Sequence, residues 1–214
     1  MKLYVYDHCP FCVKARAIFG LKKMPFDLAI LLNDDEATPT SMIGKKMAPI
    51  LDDGGRYMAE SMDIVAHVDA MAGEAVLTGP CNPQVAQWMS EATSVLYLLA
   101  LPRWAASDFA EFSTSAARVT FTRNKEAMIG SFKDRLAESG DHIATLNRLL
   151  PALDAMIQSP EAVNGELSQD DIHLFATLRA MSIVKGIAYP PQVDAYRRRM
   201  AERMAIDLHD GVAI

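Results

Sequence analysis

Two cysteines at the junction between a strand-like and a helix-like stretch constrain this 214-residue chain more than any other feature. Residues 2–6 read Lys-Leu-Tyr-Val-Tyr, whose alternation and β-rich composition predict a strand. Pro10 suits the first position of a helix, and apolar residues recur after it at helical spacing. Cys9 and Cys12 thus form a Cys-x-x-Cys pair that follows a strand and opens a helix, a context that indicates thiol–disulfide chemistry.

The rest of the first 72 residues continues this mixed pattern. Residues 26–32 are typical of a buried strand, and residues 38–44 of a short helix. A hairpin is predicted around the turn Asp52-Asp53-Gly54-Gly55, and a helix with one apolar face starts at Glu60-Ser61. The predicted order is strand, helix, strand, helix, strand, strand, helix, which makes an α/β domain over residues 1–72.

In the second part of the chain, the spacing of apolar residues differs from that in the first 72 residues. Residues 73–83 contain two glycines and two prolines with little periodicity, which predicts a linker. Beyond the linker, apolar residues recur three and four positions apart, so we predict an all-helical domain over residues 84–214. The helical segments are 84–101, 141–156, 170–184 and 191–204.

Charge and hydropathy exclude two classes of partner. Lys and Arg number 21 against 27 for Asp and Glu, a net charge of −6, so the chain lacks the basic footprint of nucleic-acid-binding proteins. The central apolar stretch 95–101 is far shorter than the ~20 residues that span a bilayer. The N-terminus lacks the apolar region of a signal peptide, and three cysteines are too few for a disulfide scaffold. We therefore expect a cytoplasmic protein that binds neither nucleic acid nor membranes.

The helix start gives the two thiols different roles. Unpaired N–H groups and the helix dipole favour a thiolate at Cys9, whereas Cys12, one turn further in, senses less of this field. Cys9 is therefore the predicted nucleophile, and Cys12 is the resolving thiol that can close a disulfide with it. Neighbouring His8 is interpreted as adding positive field near Cys9, with a role as general base as the alternative. We predict no metal site, because no second cysteine pair exists to complete tetrahedral zinc coordination.

Three motifs carry a resemblance to a known family. Residues 6–12, Tyr-Asp-His-Cys-Pro-Phe-Cys, together with Ala48-Pro49 and Glu60-Ser61, resemble the thioredoxin-fold half of bacterial two-domain (type-2) glutaredoxins. The helical remainder resembles the C-terminal domain of glutathione transferases, including the segment 165–172. The expected fold class is thus an α/β thioredoxin-like N-terminal domain followed by an all-α, glutathione transferase-like C-terminal domain.

The resemblance implies a glutathione-dependent thiol–disulfide oxidoreductase. Such an enzyme performs electron transport: it transfers electrons from glutathione to disulfide substrates, here through the Cys-Pro-Phe-Cys dithiol. The substrates are protein–glutathione mixed disulfides and other disulfides. Glutathione is then a co-substrate, and no tightly bound cofactor is expected. The implied partners are glutathione and glutathionylated or disulfide-containing proteins, and a monomer is expected.

The resemblance also implies where glutathione binds. Pro49 would be cis, which leaves the Ala48 backbone free to pair with the cysteinyl portion of glutathione. Ser61 at a helix start would hold the γ-glutamyl carboxylate, and Glu60 would contact the γ-glutamyl ammonium. Lys22 is the candidate for the glycine carboxylate. The full implied set of contacts is Pro10, Phe11, Lys22, Ala48, Pro49, Glu60 and Ser61.

Several alternatives stay open from the sequence. Lys23 could replace Lys22 at the glycine carboxylate. Phe11 stands where such glutaredoxins often have Tyr, and Ala48 stands where a β-branched residue commonly precedes the proline. A glutathione transferase is a second candidate, although its N-terminal position usually holds Ser, Tyr or a single Cys. A glutathione-sensing or iron–sulfur-assembling module is a third, which Pro10 disfavours by stiffening the helix start.

One further motif in the second part is structural. Ser168 and Asp171 have the spacing of a capping box, in which each side chain binds the backbone N–H of the other residue. Leu167 and Ile172 are placed to form a hydrophobic staple beside it. We therefore predict a helix start here, with a cap that contributes about 0.5–2 kcal/mol.

Overall fold

A computed structural model describes residues 1–71 and 73–214 of the chain. The described residues up to Ala70 form a four-stranded sheet with three helices, in the order that the sequence predicts. The elements are β1 (Lys2–Val5), α1 (Pro10–Leu21), β2 (Asp27–Ile30), α2 (Ala37–Ile43), β3 (Ile50–Asp53), β4 (Arg56–Met58) and α3 (Ser61–Ala70).

The strand order of the sheet is β2-β1-β3-β4. Central strand β1 pairs with β2 in parallel and with β3 antiparallel, and β3 and β4 form the predicted hairpin. Leu3 and Val5 of β1 are fully buried, whereas the side chains between them face away from the core. The first strand therefore holds the middle of the sheet and leads directly into the cysteine segment.

The second part of the chain is helical, as predicted. Its helices are α4 (Pro83–Ala106), α5 (Ser115–Ile129), α6 (Phe132–Ala137), α7 (Ser139–Met156), α8 (Gln169–Met181) and α9 (Pro191–Met204). Short 3₁₀ turns lie at Ala110–Phe112 and Asp210–Val212. None of the helices in the described ranges is long and apolar enough to cross a membrane.

The sequence pattern did not predict α5 and α6. Ala117 and Phe121 are the buried residues of α5, so its apolar stripe is too thin to produce a helical period. Its start is fixed instead by a cap, because the Thr114 hydroxyl oxygen accepts a hydrogen bond from the Ala117 N–H at 3.1 Å. Helix α6 is only six residues long, which is too short to show a period at all.

Helix α8 begins at the predicted capping box. The Asp171 carboxylate accepts a hydrogen bond from the Ser168 N–H at 2.9 Å, and both residues are fully buried. Ile172, Phe175 and Leu178 form an apolar stripe along this helix and are also fully buried. Helix α8 is therefore a core helix of the second part of the chain.

The two parts of the chain meet along α1, which packs against α3 on one side and against α8 and α9 on another. Gly20 of α1 lies directly against the α9 backbone, since an added Cβ there would sit 2.0 Å from the Met204 carbonyl oxygen. Glycine is therefore required at this crossing because a side chain would clash with the α9 backbone, and not because the backbone dihedral angles exclude other residues. The helix that follows Cys9 and contains Cys12 is held from both parts of the chain.

The division into residues 1–72, a linker at 73–83 and residues 84–214 stays a prediction. Its first boundary, residue 72, lies outside the described residues. Helix α3 ends at Ala70, and α4 includes Pro83 as its first residue.

Candidate active site

Cys9 is the residue immediately before α1. Its extended backbone, with φ −72° and ψ 120°, lets Pro10 occupy the first helical position, as predicted. The Cys9 carbonyl oxygen accepts the first helical hydrogen bond, from Val13 at 3.0 Å. Cys9 is partly exposed.

Cys12 lies one turn into the same helix and is fully buried. Its Sγ accepts a hydrogen bond from the Tyr6 N–H at 3.3 Å. Cys81, the third thiol, is exposed and far along the chain from this pair. Access therefore distinguishes the two thiols of the pair, because only Cys9 can meet a substrate without movement of α1.

The two thiols have opposite shifts in acidity. A hydrogen bond from the Cys12 thiol, helped by the positive field of His8 and by the N–H groups of Cys12 and Phe11, lowers the pKa of Cys9 to about 6 against the opposing effect of burial. Burial, together with the hydrogen bond to the Cys9 sulfur and its negative charge, raises the pKa of Cys12. The pair thus holds one thiolate at neutral pH, on Cys9, and one thiol.

A cleft of about 290 Å³ opens beside Cys9. It is bordered by the end of β1, the segment after β2, the segment before Pro49 and helix α5 of the second part. Its lining residues are Tyr6, His8, Cys9, Asn33, Glu36, Lys46, Met47, Ala48, Phe121, Asn124 and Lys125. Cys9 therefore lies beside a space that is bordered by both parts of the chain.

The structure brings part of the predicted glutathione-binding set to this cleft. The Ala48-Pro49 peptide bond is cis, as the resemblance implies, and Ala48 lines the cleft together with Cys9. Phe11, at the start of α1, is 51% exposed, and the Lys14 ammonium lies 4.7 Å from the centroid of its ring. The start of α1 and the cis-proline turn thus form two sides of one site.

Glu60 and Ser61 mark the start of α3, outside the lining of the cleft. Ser61 is buried at the first helical position, where the N–H groups of a helix lack intrahelical partners. Glu60 has an unusual backbone with φ +68°, and its carboxylate lies 3.6 Å from the exposed Lys45 ammonium. Both residues keep the predicted position at a helix N-terminus.

Lys22 is not brought to the site. Its ammonium donates to the carbonyl oxygens of Asp69 and Glu74 at 2.6 and 3.1 Å and lies 3.8 Å from the Asp69 carboxylate. These bonds tie the end of α1 to the segment after α3, which is a structural role. The cleft holds Lys46 instead, paired loosely with Glu36 at 3.4 Å.

His8 is buried, in the loop between β1 and α1. Its ring Nδ1 lies 2.6 Å from Oε1 of Glu111, a fully buried carboxylate in the 3₁₀ turn before α5. The same Oε1 accepts a hydrogen bond from the His8 backbone N–H at 2.9 Å. The residue before Cys9 is thereby held by the second part of the chain.

Asp7 makes a second link between the parts. The Arg179 guanidinium of α8 donates to the Asp7 carbonyl oxygen at 2.7 Å and to its carboxylate at 3.2 Å, and Arg16 of α1 also binds that carboxylate. Burial opposes ionisation of Asp7, but the two guanidiniums lower its pKa below the usual value. These bonds fix the loop between β1 and α1 from both sides.

Several residues of the cleft were not found from the sequence. Lys46 had a usable signal, because Lys45-Lys46 stands just ahead of the Ala48-Pro49 turn. Asn124 and Lys125 had none, since they lie far along the chain from the cysteines in a stretch without clear periodicity. Glu111, which contacts His8 outside the lining of the cleft, had none either. Their contribution depends on how the second part packs against the first.

Comparison with known proteins agrees with this geometry. The family model described as "Glutaredoxin 2, C terminal domain" matches residues 84–213, and the model of the glutathione S-transferase N-terminal domain matches residues 3–75. Glutaredoxin 2 of Escherichia coli (strain K12) is 51% identical over 215 residues, covering all of both chains. The chain belongs to the glutaredoxin 2 family.

Solved structures support the same assignment. Glutaredoxin 2 from Salmonella typhimurium, solved in complex with glutathione, is 53% identical, has a TM-score of 0.98 and is aligned over 100% of this chain and 98% of its own. A glutathione transferase from Phanerochaete chrysosporium, at 13% identity and TM-score 0.72 with 96% and 98% coverage, shares the fold alone. As a member of the glutaredoxin 2 family, the chain is a glutathione-dependent thiol oxidoreductase with a thioredoxin-like part and a helical part.

Proposed function

We propose that Cys9 is the nucleophile that removes glutathione from protein–glutathione mixed disulfides. The Cys9 thiolate attacks the glutathionyl sulfur, the protein thiolate leaves, and a Cys9–glutathione disulfide forms. A second glutathione thiolate then attacks the glutathione sulfur of that adduct, which releases glutathione disulfide and restores the Cys9 thiolate. One disulfide is reduced, and two glutathione units end as one disulfide.

Cys12 serves a second route, for disulfides between two protein thiols. After Cys9 forms a mixed disulfide with the substrate, Cys12 loses its proton and attacks the Cys9 sulfur, which expels the substrate thiolate. The resulting Cys9–Cys12 disulfide is then reduced by two glutathione molecules. The observation that supports this division of labour is the contrast between a partly exposed thiolate at Cys9 and a buried thiol at Cys12.

Glutathione would lie in the cleft with its sulfur against Cys9. The backbone of Ala48, before the cis proline, would pair with the cysteinyl portion of glutathione. Ser61 and the start of α3 would hold the γ-glutamyl carboxylate, beside Glu60. In this proposal Lys46 replaces Lys22 as the partner of the glycine carboxylate, because its ammonium is in the cleft.

The proposed partners are glutathionylated and disulfide-containing proteins. The proposed enzyme acts on them as a monomer in the cytoplasm. A low pKa at Cys9 suits this role, because a stable thiolate is a good leaving group when glutathione attacks its adduct. We propose no nucleic-acid or membrane partner, in keeping with the net charge of −6.

The first prediction concerns the pH dependence of alkylation. Below pH 6 the Cys9 sulfur carries a proton, and above it the thiolate dominates, so its reaction with iodoacetamide should rise with pH to half its maximum near pH 6. Cys12 should stay unmodified over the same range because it is buried and its pKa is raised. The measurement is rapid alkylation of the reduced protein, with the modified cysteine located by mass spectrometry.

Exposed Cys81 is the natural internal control for this titration. Its alkylation over the same pH range shows how a thiol outside the Cys9–Cys12 pair reacts. A Cys9 midpoint equal to that of Cys81 would contradict the assignment of Cys9 as a stabilised thiolate.

The second prediction concerns the glutathione contacts. Lys46→Met and Ser61→Ala should each raise the KM for glutathione, the former by about tenfold, because a charge-assisted hydrogen bond contributes about 1.5–3 kcal/mol. Steady-state kinetics with a small glutathionylated disulfide measure this effect. Lys23→Met is the matched control, since Lys23 lies at the far end of α1 in a different groove. Unchanged glutathione dependence in both Lys46→Met and Ser61→Ala would place glutathione elsewhere.

A further inference from the structure

Glu111 contacts the residue before the nucleophile and has no other polar side-chain partner among the residues that the structure describes. Its carboxylate is fully buried, with Oε1 bound to both His8 nitrogens, Nδ1 at 2.6 Å and the backbone N at 2.9 Å. Its Oε2 has no hydrogen-bond partner within the described part of the chain. A buried carboxylate with one partner is costly for stability alone, which indicates a role in the chemistry.

The surroundings of this pair are aromatic. The rings of Trp104, Phe112 and Phe121 lie with their centroids 5.0, 5.1 and 5.1 Å from that of His8. His8 is only 6% exposed, so little solvent screens the pair. In such an environment the Glu111 carboxylate, 2.6 Å from Nδ1, fixes the orientation of the His8 ring beside Cys9.

The two residues of this pair act electrostatically on different thiols. The positive charge of His8 is one of the causes that lower the pKa of Cys9, after the hydrogen bond from the Cys12 thiol. The negative charge of Glu111 is one of the causes that raise the pKa of Cys12, after burial and the effect of Cys9. His8 and Glu111 thus act together as a dipole whose two ends favour opposite states of the two sulfurs.

Other ionisable groups also face this region. Lys14 lies near Cys9 from α1, Tyr97 from α4 and Lys125 from α5. The remaining ones are Tyr6, Asp7, Arg16, Asp35, Glu36, Lys46, Arg179 and His209. The contact between Glu111 and His8 is the one that joins a fully buried carboxylate to the residue adjacent to Cys9.

We propose that Glu111 is a positioning residue for thiol exchange, which acts through His8 to keep the negative charge on Cys9 rather than on Cys12. The helical part of the chain thereby sets which sulfur attacks. This inference rests on the proposed role of Cys9 as the nucleophile. It gives the second part a function in the reaction beyond covering the cleft.

Glu111→Gln tests the proposal because it keeps the size of the side chain and an oxygen that can accept from the His8 N–H. It removes the negative charge that faces the His8 ring nitrogen. We expect the midpoint of Cys9 alkylation to move to higher pH by about half to one unit, so that the rate at pH 5.5 falls about threefold to tenfold. The titration is carried out on the full chain with Cys81→Ser as background.

Glu166→Gln is the matched control. It also removes one carboxylate of the second part, one that accepts a hydrogen bond from Thr78 at 2.7 Å, but it does so far along the chain from His8. Its alkylation midpoint should equal that of the parent. A natively folded Glu111→Gln protein with the parental midpoint would overturn the proposal, whatever its effect on melting temperature.

A second variant keeps the test valid if Glu111→Gln folds poorly. His8→Phe combined with Glu111→Gln removes both charges and fits the aromatic surroundings, while Gln still accepts from the backbone N–H of residue 8. This double variant should show a Cys9 midpoint raised at least as far as in the single variant, and an unchanged midpoint would again overturn the proposal. If instead the parent itself shows an ordinary Cys9 midpoint, the proposed function fails before the role of Glu111 is tested.

Discussion

Replacing Cys9 by serine should abolish deglutathionylation, with a loss of at least about 1000-fold in kcat/KM, because a serine hydroxyl stays protonated and forms no disulfide. The assay is glutathione-dependent reduction of a small mixed disulfide, coupled to glutathione reductase. No other thiol can replace it, since Cys12 is buried and Cys81 is remote in the chain.

Cys12→Ser is the matched control for this experiment. It should retain activity on the mixed disulfide, because external glutathione resolves the Cys9 adduct directly, and it should lose the reduction of protein disulfides that need an internal thiol. Its Cys9 pKa should rise somewhat, because a hydroxyl replaces the thiol that donates to the Cys9 sulfur. Activity of Cys9→Ser equal to that of Cys12→Ser would contradict the assignment of roles.

Replacing Asp171 by alanine should be the most destabilising of the changes considered, at about 3–5 kcal/mol in the free energy of unfolding. The Asp171 carboxylate accepts from the N–H groups of Val163 and Ser168 at 2.8 and 2.9 Å and from the Tyr196 hydroxyl at 2.8 Å. Alanine would leave all three donors buried without an acceptor. The expected loss of stability is larger than the loss of the capping box alone, for which the sequence predicts about 0.5–2 kcal/mol.

Urea denaturation followed by circular dichroism measures this change. Ser168→Ala is the control, because it removes only the hydroxyl of the cap and should cost about 1 kcal/mol. Activity per folded molecule should be nearly unchanged in both variants, since neither side chain lines the cleft. Equal denaturation midpoints for Asp171→Ala and Ser168→Ala would show that the bonds to Val163 and Tyr196 contribute little.

Local signals were enough to predict the cysteine pair and its setting. The strand, the helix start at Pro10 and the turn at Gly54-Gly55 each depend on residues close together in the chain, so the first part of the fold followed from pattern and turn chemistry. The capping box at Ser168 was found for the same reason. The start of each of these elements is encoded within a few residues.

The parts of the site that cross between the two halves could not be predicted in this way. Lys22 was chosen for its place after α1, but its ammonium is taken up by the segment after α3. His8 gave no sign of its buried partner, because Glu111 follows it by 103 positions. Such contacts depend on packing between helices, which a single sequence with weak periodicity around α5 does not reveal.

Chimeras that combine one half of this chain with the other half of a relative are limited by the crossing of α1 and α9 at Gly20 and Met204. The two helix backbones touch there without a side chain between them, so no substitution at position 20 can compensate for a partner helix of different shape. A transplanted helical half must bring bare backbone to the same point, or it will tilt the helix that follows Cys9. The two halves are therefore expected to have diverged together, as one inherited unit rather than as interchangeable modules.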